Sequence, residues 1–482
     1  MPSVEWKPES ASSVTLQKQI EGHIRGKILN GEWPIGTKIP SQRALAKSLG
    51  VNRSTVSAAL AELAADGLTD GRSGAGTMVV NNTWSILAAA PPPDWRHYVT
   101  SGAQEPNLTT IQDINRAEFH PGVIRLGTGE LSPDLLPSSA IRDLFRQIPE
   151  RPLRLGYEEG KGSAFLREQV SNHVKTLGIH ASPASILIVS GALQALQLIA
   201  IGLLQQNSTI LLEKPSYLYS VPVFQSAGMR LIGLSMDADG VQVPFIEKFK
   251  RQHNAAMLYT IPTFHNPTGT CMTKERRTEF MDVCTATRLP VVEDDVYRDL
   301  WLDAPPPPPL KSTDGKGIVL YLGSMSKTLS PGLRIGWIIG PEPVIERLAD
   351  IKMQTDYGAS SLSQWAVAEF LAGGLYHKHV ENVRSELRIR RALMLQALSV
   401  SMGDIATWNT PGGGFYVWLR LHRPLSMKKL FDRCLSEGIL INPGNIYDRS
   451  TDQHLRLSYA HAPANAIAAA IERLSVECRR GP

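Results

Sequence analysis

The chain has 482 residues, 43% hydrophobic and 20% charged, which is too long for one compact core and too apolar for a disordered or fibrous polymer. The formal net charge of +5 is spread too thinly to select a partner, so local charge has to carry that question. Cys271, Cys284, Cys434 and Cys478 form no C-x-x-C pair, which argues against a disulfide framework or a zinc site and matches a reducing compartment, the cytoplasm by default.

The first residues lack the basic and apolar blocks of a signal peptide. From about residue 15 to 31, Leu16, Ile20, Ile24 and Ile28 recur every four positions and predict a helix with one buried stripe, ended by Gly31, Pro34 and Gly36. Pro40-Ser41 predicts a second, short helix capped by Ser41 and stopped by Gly50. A third runs from about 53 to 66 and buries Val56, Leu60 and Leu63, after which Gly67, Gly71, Gly74 and Gly76 punctuate a hairpin. This order is the plan of a winged helix-turn-helix. Asn52, Arg53, Ser54, Thr55 and Ser57 gather at the start and outer face of the third helix, where a recognition helix meets base edges and phosphates, and Arg72 falls near the wing tip. Residues 1–83 hold nine Lys or Arg against seven Asp or Glu, so the pattern, more than the charge, points to double-stranded DNA. A winged-helix domain is thus expected over 1–82. A linker follows over 83–120, stiffened by Ala88-Ala89-Ala90-Pro91-Pro92-Pro93.

Residues 121–482 read as an α/β body, with a smaller C-terminal lobe over about 350–482. Apolar runs at 186–189, 209–212, 256–261, 290–293, 318–322 and 335–339 alternate with amphipathic helices, which predicts a large, mostly parallel sheet with helices on both faces. The uncharged stretch 186–204 has the length of a membrane span, but Ser190-Gly191 interrupts it and Gln194 and Gln197 would need partners in lipid. A buried strand and a core helix explain it better, and no membrane partner is expected. The proline run 305–309 reads as a surface bridge.

Several loops after these strands carry chemistry. Ser324-Met325-Ser326-Lys327, with Arg334 seven residues on, sets hydroxyls and a guanidinium beside an amine. Glu293-Asp294-Asp295-Val296-Tyr297 closes another strand, so its side chains project at the sheet's C-terminal edge, where ligands bind in open α/β folds. Asn266, in His265-Asn266-Pro267-Thr268-Gly269, is a donor on a third loop. Ser190-Gly191-Ala192-Leu193 turns into a helix whose first amides suit a phosphate. An amine, a carboxylate, oxygen ligands and an anion cradle are what pyridoxal 5'-phosphate requires. Lys327 is the expected Schiff-base residue. Asp294 is expected to face the pyridine nitrogen, with Asp295 the competing carboxylate. Tyr297 and Asn266 are expected at the ring oxygen, and Tyr217 stacked on the ring. Gly191, Ala192, Leu193, Ser324, Ser326 and Arg334 are expected around the phosphate. No metal is expected.

In this order and spacing the motifs resemble fold-type I pyridoxal-phosphate enzymes of the class I/II aminotransferases. The resemblance implies that Arg456, in Leu455-Arg456-Leu457-Ser458, holds the α-carboxylate of a substrate or effector, and that Tyr157 reaches the phosphate in a partner subunit. It therefore implies a head-to-tail homodimer. Pro40-Ser41-Gln42-Arg43, Leu49-Gly50-Val51-Asn52-Arg53-Ser54-Thr55-Val56 and Gly74-Ala75-Gly76-Thr77 resemble the GntR regulators, which implies DNA contacts from Ser41, Arg43, Arg53, Gly74 and Gly76. A GntR head on such a body resembles the MocR subfamily end to end. Two departures stand out. Asn266 is enzyme-like where many members have a glutamine motif, and Ala192 replaces a common hydroxyl. Two functions follow: a regulator that senses the cofactor or an amino compound, or an active aminotransferase with a DNA-binding head.

Overall fold

The computed structural model describes residues 6–9, 12–72, 76–81, 107–146 and 156–480, and the chain divides into two compact units, 1–102 and 103–482. In the first unit, α1 (Leu16–Leu29), α2 (Gln42–Leu49) and α3 (Arg53–Ala65) precede a hairpin of β1 (Thr69–Arg72) and β2 (Gly76–Val79). Ile20, Ile24 and Ile28 of α1 pack with Leu45, Val56, Leu60 and Leu63, as their four-residue spacings require. The Ser41 hydroxyl accepts from the Ala44 amide at 3.2 Å, and Gly50 ends α2 in the left-handed region at φ 68°.

The second unit is built on an eight-stranded sheet in the order β4-β11-β10-β9-β8-β5-β6-β7. Its strands are β4 (Ile186–Val189), β5 (Thr209–Lys214), β6 (Arg230–Asp237), β7 (Gly240–Val241), β8 (Ala255–Thr260), β9 (Val291–Asp294), β10 (Val319–Ser324) and β11 (Gly336–Ile339). All but β7 and β11 point the same way, so the sheet is mixed but mostly parallel. Strands β9 and β10 inside the sheet, and β4 at its edge, are buried along their length, which is why each begins as an apolar run. The stretch at 186–204 is β4 followed by a helix at Ala192–Leu203. Among the described residues no helix is long and apolar enough to cross a membrane.

Two features depart from the sequence expectation. Strand β6 was not anticipated, because beside β7 at the sheet's edge it is only half-buried, with Arg230 and Ser235 exposed. More consequentially, the span expected as linker contains a folded helix of the body, α4 (Thr109–Ala117). Ile111, Ile114 and Ala117 recur at three-residue spacing and are buried in one cluster with Tyr297, Phe415, Tyr416 and Leu440. The smaller lobe holds a four-stranded antiparallel sheet that includes Tyr416–Leu421 and His454–Ser458, packed with the long helix Leu375–Met402.

Replacing Ile114 by Ala tests the placement of α4. Truncating a side chain 5% exposed in that cluster should cost about 2–4 kcal/mol in urea unfolding of the full chain. A loss below about 0.5 kcal/mol, the level of a surface change, would mean that α4 is not part of the body's core.

Candidate cofactor site and DNA-binding surface

The parallel strands deliver their C-terminal ends to one edge of the sheet, and the loops leaving β5, β8 and β10 there help to line a cavity of about 290 Å³. Lys327, Tyr217, Asn266 and Arg456 are on its wall. Lys327 Nζ donates to the Gly129 carbonyl at 2.6 Å and lies 5.9 Å from the centre of the Tyr297 ring.

Asp294 ends β9 and is 4% exposed. Its Oδ2 accepts from Tyr259 Oη at 2.7 Å, while Oδ1 has no hydrogen-bond partner. Burial pushes its carboxyl up to about 6, against the opposing Tyr259 hydroxyl and Val296 amide. Asp295, the competing carboxylate, projects to the opposite side and is bound by the buried guanidinium of Arg298. The proline run, expected as a plain surface bridge, serves this network. Pro307 O accepts from Arg298 at 2.9 Å and Pro308 O from Arg277 at 3.2 Å.

The anion cradle forms where β4 meets the helix α5 (Ala192–Leu203). The amides of Ala192 and Leu193 head this helix, ahead of the first bonds onto Gly191 O from Gln194 and Ala195. Gly191 has φ 90°, and a Cβ there would stand 2.5 Å from an Arg334 guanidinium nitrogen. Arg334 ties the two loops together, donating to Ser190 O at 2.7 Å and to Ser326 Oγ at 3.5 Å. Ser324 Oγ in turn donates to Ser326 Oγ at 3.0 Å.

Arg456 is 5% exposed and lies between two rings, its Cζ 4.1 Å from the Tyr416 centroid and 4.8 Å from that of Tyr447. It donates to Asn266 Oδ1 at 2.8 Å and to Gly127 O at 2.6 Å, which leaves Nε without a partner. With its amide turned to satisfy its neighbours, Asn442 accepts from Tyr447 Oη and Arg456 at 2.9 and 2.8 Å. Tyr297 and Tyr416 join their hydroxyls at 3.0 Å. Tyr157 is 85% exposed, packs on Tyr357 at 5.1 Å between ring centres, and is not on this cavity's wall.

Sequence reasoning missed Tyr416, Tyr447, Asn442, Glu118 and Glu130, all on the cavity wall. None belongs to a recognisable loop motif. The i, i+3 spacing of Ile111 and Ile114 could have disclosed α4, and with it the position of Glu118.

On the head, Arg43, Asn52, Arg53 and Ser54 are exposed, and Thr55 and Ser57 are half-buried. Arg53 Nε donates to Gln42 Oε1 at 3.4 Å, linking the start of α3 to α2. Gly76 has φ 91° beside Lys38, a further exposed cation that was not among the expected DNA contacts. Gly74 and the side chain of Arg72 lie outside the described residues.

The geometry is that of a winged helix in the first unit and a pyridoxal-phosphate fold in the second, and comparison with known proteins agrees. Residues 121–474 match aminotransferase class I and II, and residues 16–79 match the bacterial regulatory proteins of the gntR family. The chain is 54% identical to the HTH-type transcriptional regulator YisV of Bacillus subtilis, over 99% of this chain and 98% of that one. It is 36% identical to the HTH-type transcriptional regulator NorG of Staphylococcus aureus, over 88% and 95%. Among solved structures, the body resembles the Pyrococcus horikoshii kynurenine aminotransferase in complex with PMP. The TM-score is 0.75 at 29% identity, over 80% of this chain and 98% of that one. It also resembles LysN of Thermus thermophilus, complexed with N-(5'-phosphopyridoxyl)-L-leucine, with a TM-score of 0.73 at 30% identity over 80% and 97%. The chain belongs to the GntR-type transcription regulators that carry a class I/II aminotransferase-like body, the MocR subfamily. The fold and these neighbours imply pyridoxal phosphate.

Two measurements probe the site. In the cofactor-free protein Asp294 keeps its proton to about pH 6 when folded but loses it near 3.8 when unfolded. The folded state then binds more protons between these values, so this group's contribution to stability should fall as pH rises from about 4 to 6. Urea unfolding across that range should show the fall in wild type and lose this component in Asp294→Asn; identical profiles would place the titration elsewhere. Gly191→Ala should displace Arg334 and weaken cofactor binding by at least about tenfold, and unchanged affinity in an absorbance titration would exclude the cradle.

Proposed function

We propose that the protein is a pyridoxal-phosphate-dependent DNA-binding transcription regulator, in which the cofactor, alone or with an amino compound, changes how a cytoplasmic homodimer presents its heads to operator DNA. The observation that carries this reading is that the relatives named as regulators align with both the head and the body together. The domain limits follow: a head over 1–82, a connecting span that ends where α4 begins, and a body reaching 482.

The residues present suit the cofactor. An unpartnered buried carboxylate oxygen on Asp294 seeks a protonated ring nitrogen, since a cation there would relieve the desolvation that now raises its carboxyl. The Gly191 turn leaves room for an anion between the α5 amides, Arg334, Ser324 and Ser326. Lys327 would hold the cofactor, Tyr217 would cover its ring, and Tyr297 and Asn266 would meet its ring oxygen. The bound cofactor supplies an aldehyde reactive toward amines. Arg456 would bind the carboxylate of an incoming amino compound, its guanidinium already oriented by Asn266 and Gly127. Tyr157 would reach the cavity of the partner in a head-to-tail dimer.

For regulation, ligand binding has to favour one of two conformations. The route available is α4, the first described element after the residues that follow the head, and itself part of the cavity wall through Ile111, Ile114 and Asn115. Contacts made on α4 therefore act on the chain that leads to the head. Asn266 and Arg456 together are also what transamination uses, so multiple turnovers with operator binding indifferent to cofactor and ligand would favour the enzyme instead.

Arg53→Ala should weaken operator binding and lower the salt dependence of affinity by about one ion, with cofactor absorbance intact. Equal affinity at matched salt would remove α3 as the reading helix. Lys327→Ala should abolish borohydride-fixed cofactor on the chain; an adduct that persists would assign the attachment to another amine.

A further inference from the structure

The cavity that would receive an amino compound has, besides Arg456 and Lys327, an acidic rim that none of the cofactor-holding residues needs. Glu118, Thr128 and Glu130 line it together with Asn115. Glu118 is the C-cap of α4, where the last helical carbonyls already carry partial negative charge and disfavour a carboxylate unless a cation joins it. Thr128 Oγ1 donates to Glu118 at 2.9 Å, which fixes the carboxylate without neutralising it. The carboxyl of Glu130 is pushed up by burial first and by repulsion from Glu118 second. Arg125 approaches Glu130 only to 3.4 Å, with the same nitrogen 3.3 Å from His461 Nε2. The inner counter-charge to Glu130 is Lys327, whose amine meets the carbonyl of the adjacent Gly129 and is the group that holds the cofactor. Once that amine is engaged, Glu130 keeps Arg125 and the His461 ring, 3.7 Å away and disfavoured as a cation by burial, while the one side-chain bond to Glu118 is from a neutral hydroxyl. A second observation on the same wall points to a ligand: Arg456 is 5% exposed, and its Nε is buried without a partner.

The cavity thus has an unmet demand for an anion at its buried wall and for a cation at its rim. We infer that the amino compound read by this site is a diamino acid, its carboxylate on Arg456, its α-amine beside Lys327 and its side-chain ammonium between Glu118 and Glu130. The inference rests on the receptor reading above and names the ligand class for it. It also gives α4 a task, because Glu118, at the end of that helix, is the residue that distinguishes a basic side chain from a neutral one.

Calorimetric titration of the cofactor-loaded full chain with L-lysine, L-ornithine, L-norleucine and L-glutamate tests it. Lysine or ornithine should bind at least about tenfold tighter than norleucine, which matches lysine in length but lacks the charge, and glutamate should bind most weakly. In a Glu118→Gln, Glu130→Gln double variant the ratio of lysine to norleucine affinity should shrink toward one. Norleucine binding as tightly as the basic amino acids overturns the inference and leaves the receptor reading in place. A ratio that the double variant leaves intact overturns it as well, and the wild-type ratio decides even where that variant does not fold. If none of the four binds while cofactor absorbance is present, the inference fails, whereas the receptor reading fails only if operator affinity is also the same with and without cofactor.

Discussion

A carboxylate removed from water with one oxygen unbonded is costly to keep charged, and Asp294 at the end of β9 is such a group. The Tyr259 hydroxyl, the Val296 amide and the charge of Lys327 offset its burial only in part, so its carboxyl is pushed up to about 6. The surrounding structure maintains that arrangement. Strand alternation sends Asp295 to the other side, where Arg298 binds it, and the proline carbonyls anchor Arg298 and its neighbour Arg277. Asp294 is thereby left alone on the side that faces Lys327 and Tyr217. The same parallel order that buries β9 brings the Gly191 and Lys327 loops to that edge, so one sheet builds the carboxylate, the amine and the cradle together.

The amino-acid sequence disclosed these parts to different degrees. Lys327, Asn266 and Gly191 stood out as candidates because each sits in a short loop next to an apolar strand, Asp294 because it ends one, and Arg456 only through the family resemblance of its strand. The head was legible because Ile20, Ile24, Leu60 and Leu63 keep strict helical spacing and glycines mark its ends. Tyr416, Tyr447 and Asn442 were not, since they come from the smaller lobe and reach the cavity only through tertiary packing. Helix α4 was hidden by its neighbours: a short amphipathic segment next to an alanine- and proline-rich stretch reads as linker until its apolar face finds a core. Arg298 and Arg277 were unreadable as anchors, because many of their partners, Pro307 O, Pro308 O and Pro262 O among them, are main-chain carbonyls that no residue-type pattern reveals.

The correction to α4 alters how the two functions relate. With the whole span 83–120 as linker, head and body would share only a tether, and a cofactor fold could be inherited without consequence for DNA. With α4 forming part of the cavity wall, whatever binds beside Asn115 and Glu118 contacts the chain that leads to the head. That connection is local and physical, and it gives a ligand in the cavity a means of preferring one conformation. It also explains why residues typical of catalysis persist in a regulator, since recognising an amine and a carboxylate needs much of the same equipment as transforming them.

The central claim is that occupancy of this cavity and binding of DNA are thermodynamically coupled. The affinity of the full chain for the intergenic DNA beside its own gene, measured at one salt concentration, tests it most directly. The comparison runs over cofactor-free protein, cofactor-loaded protein, and loaded protein saturated with L-lysine. The account predicts that at least one of these steps changes DNA affinity several-fold, and that DNA changes the affinity for that ligand by the same factor. Three equal DNA affinities would contradict it.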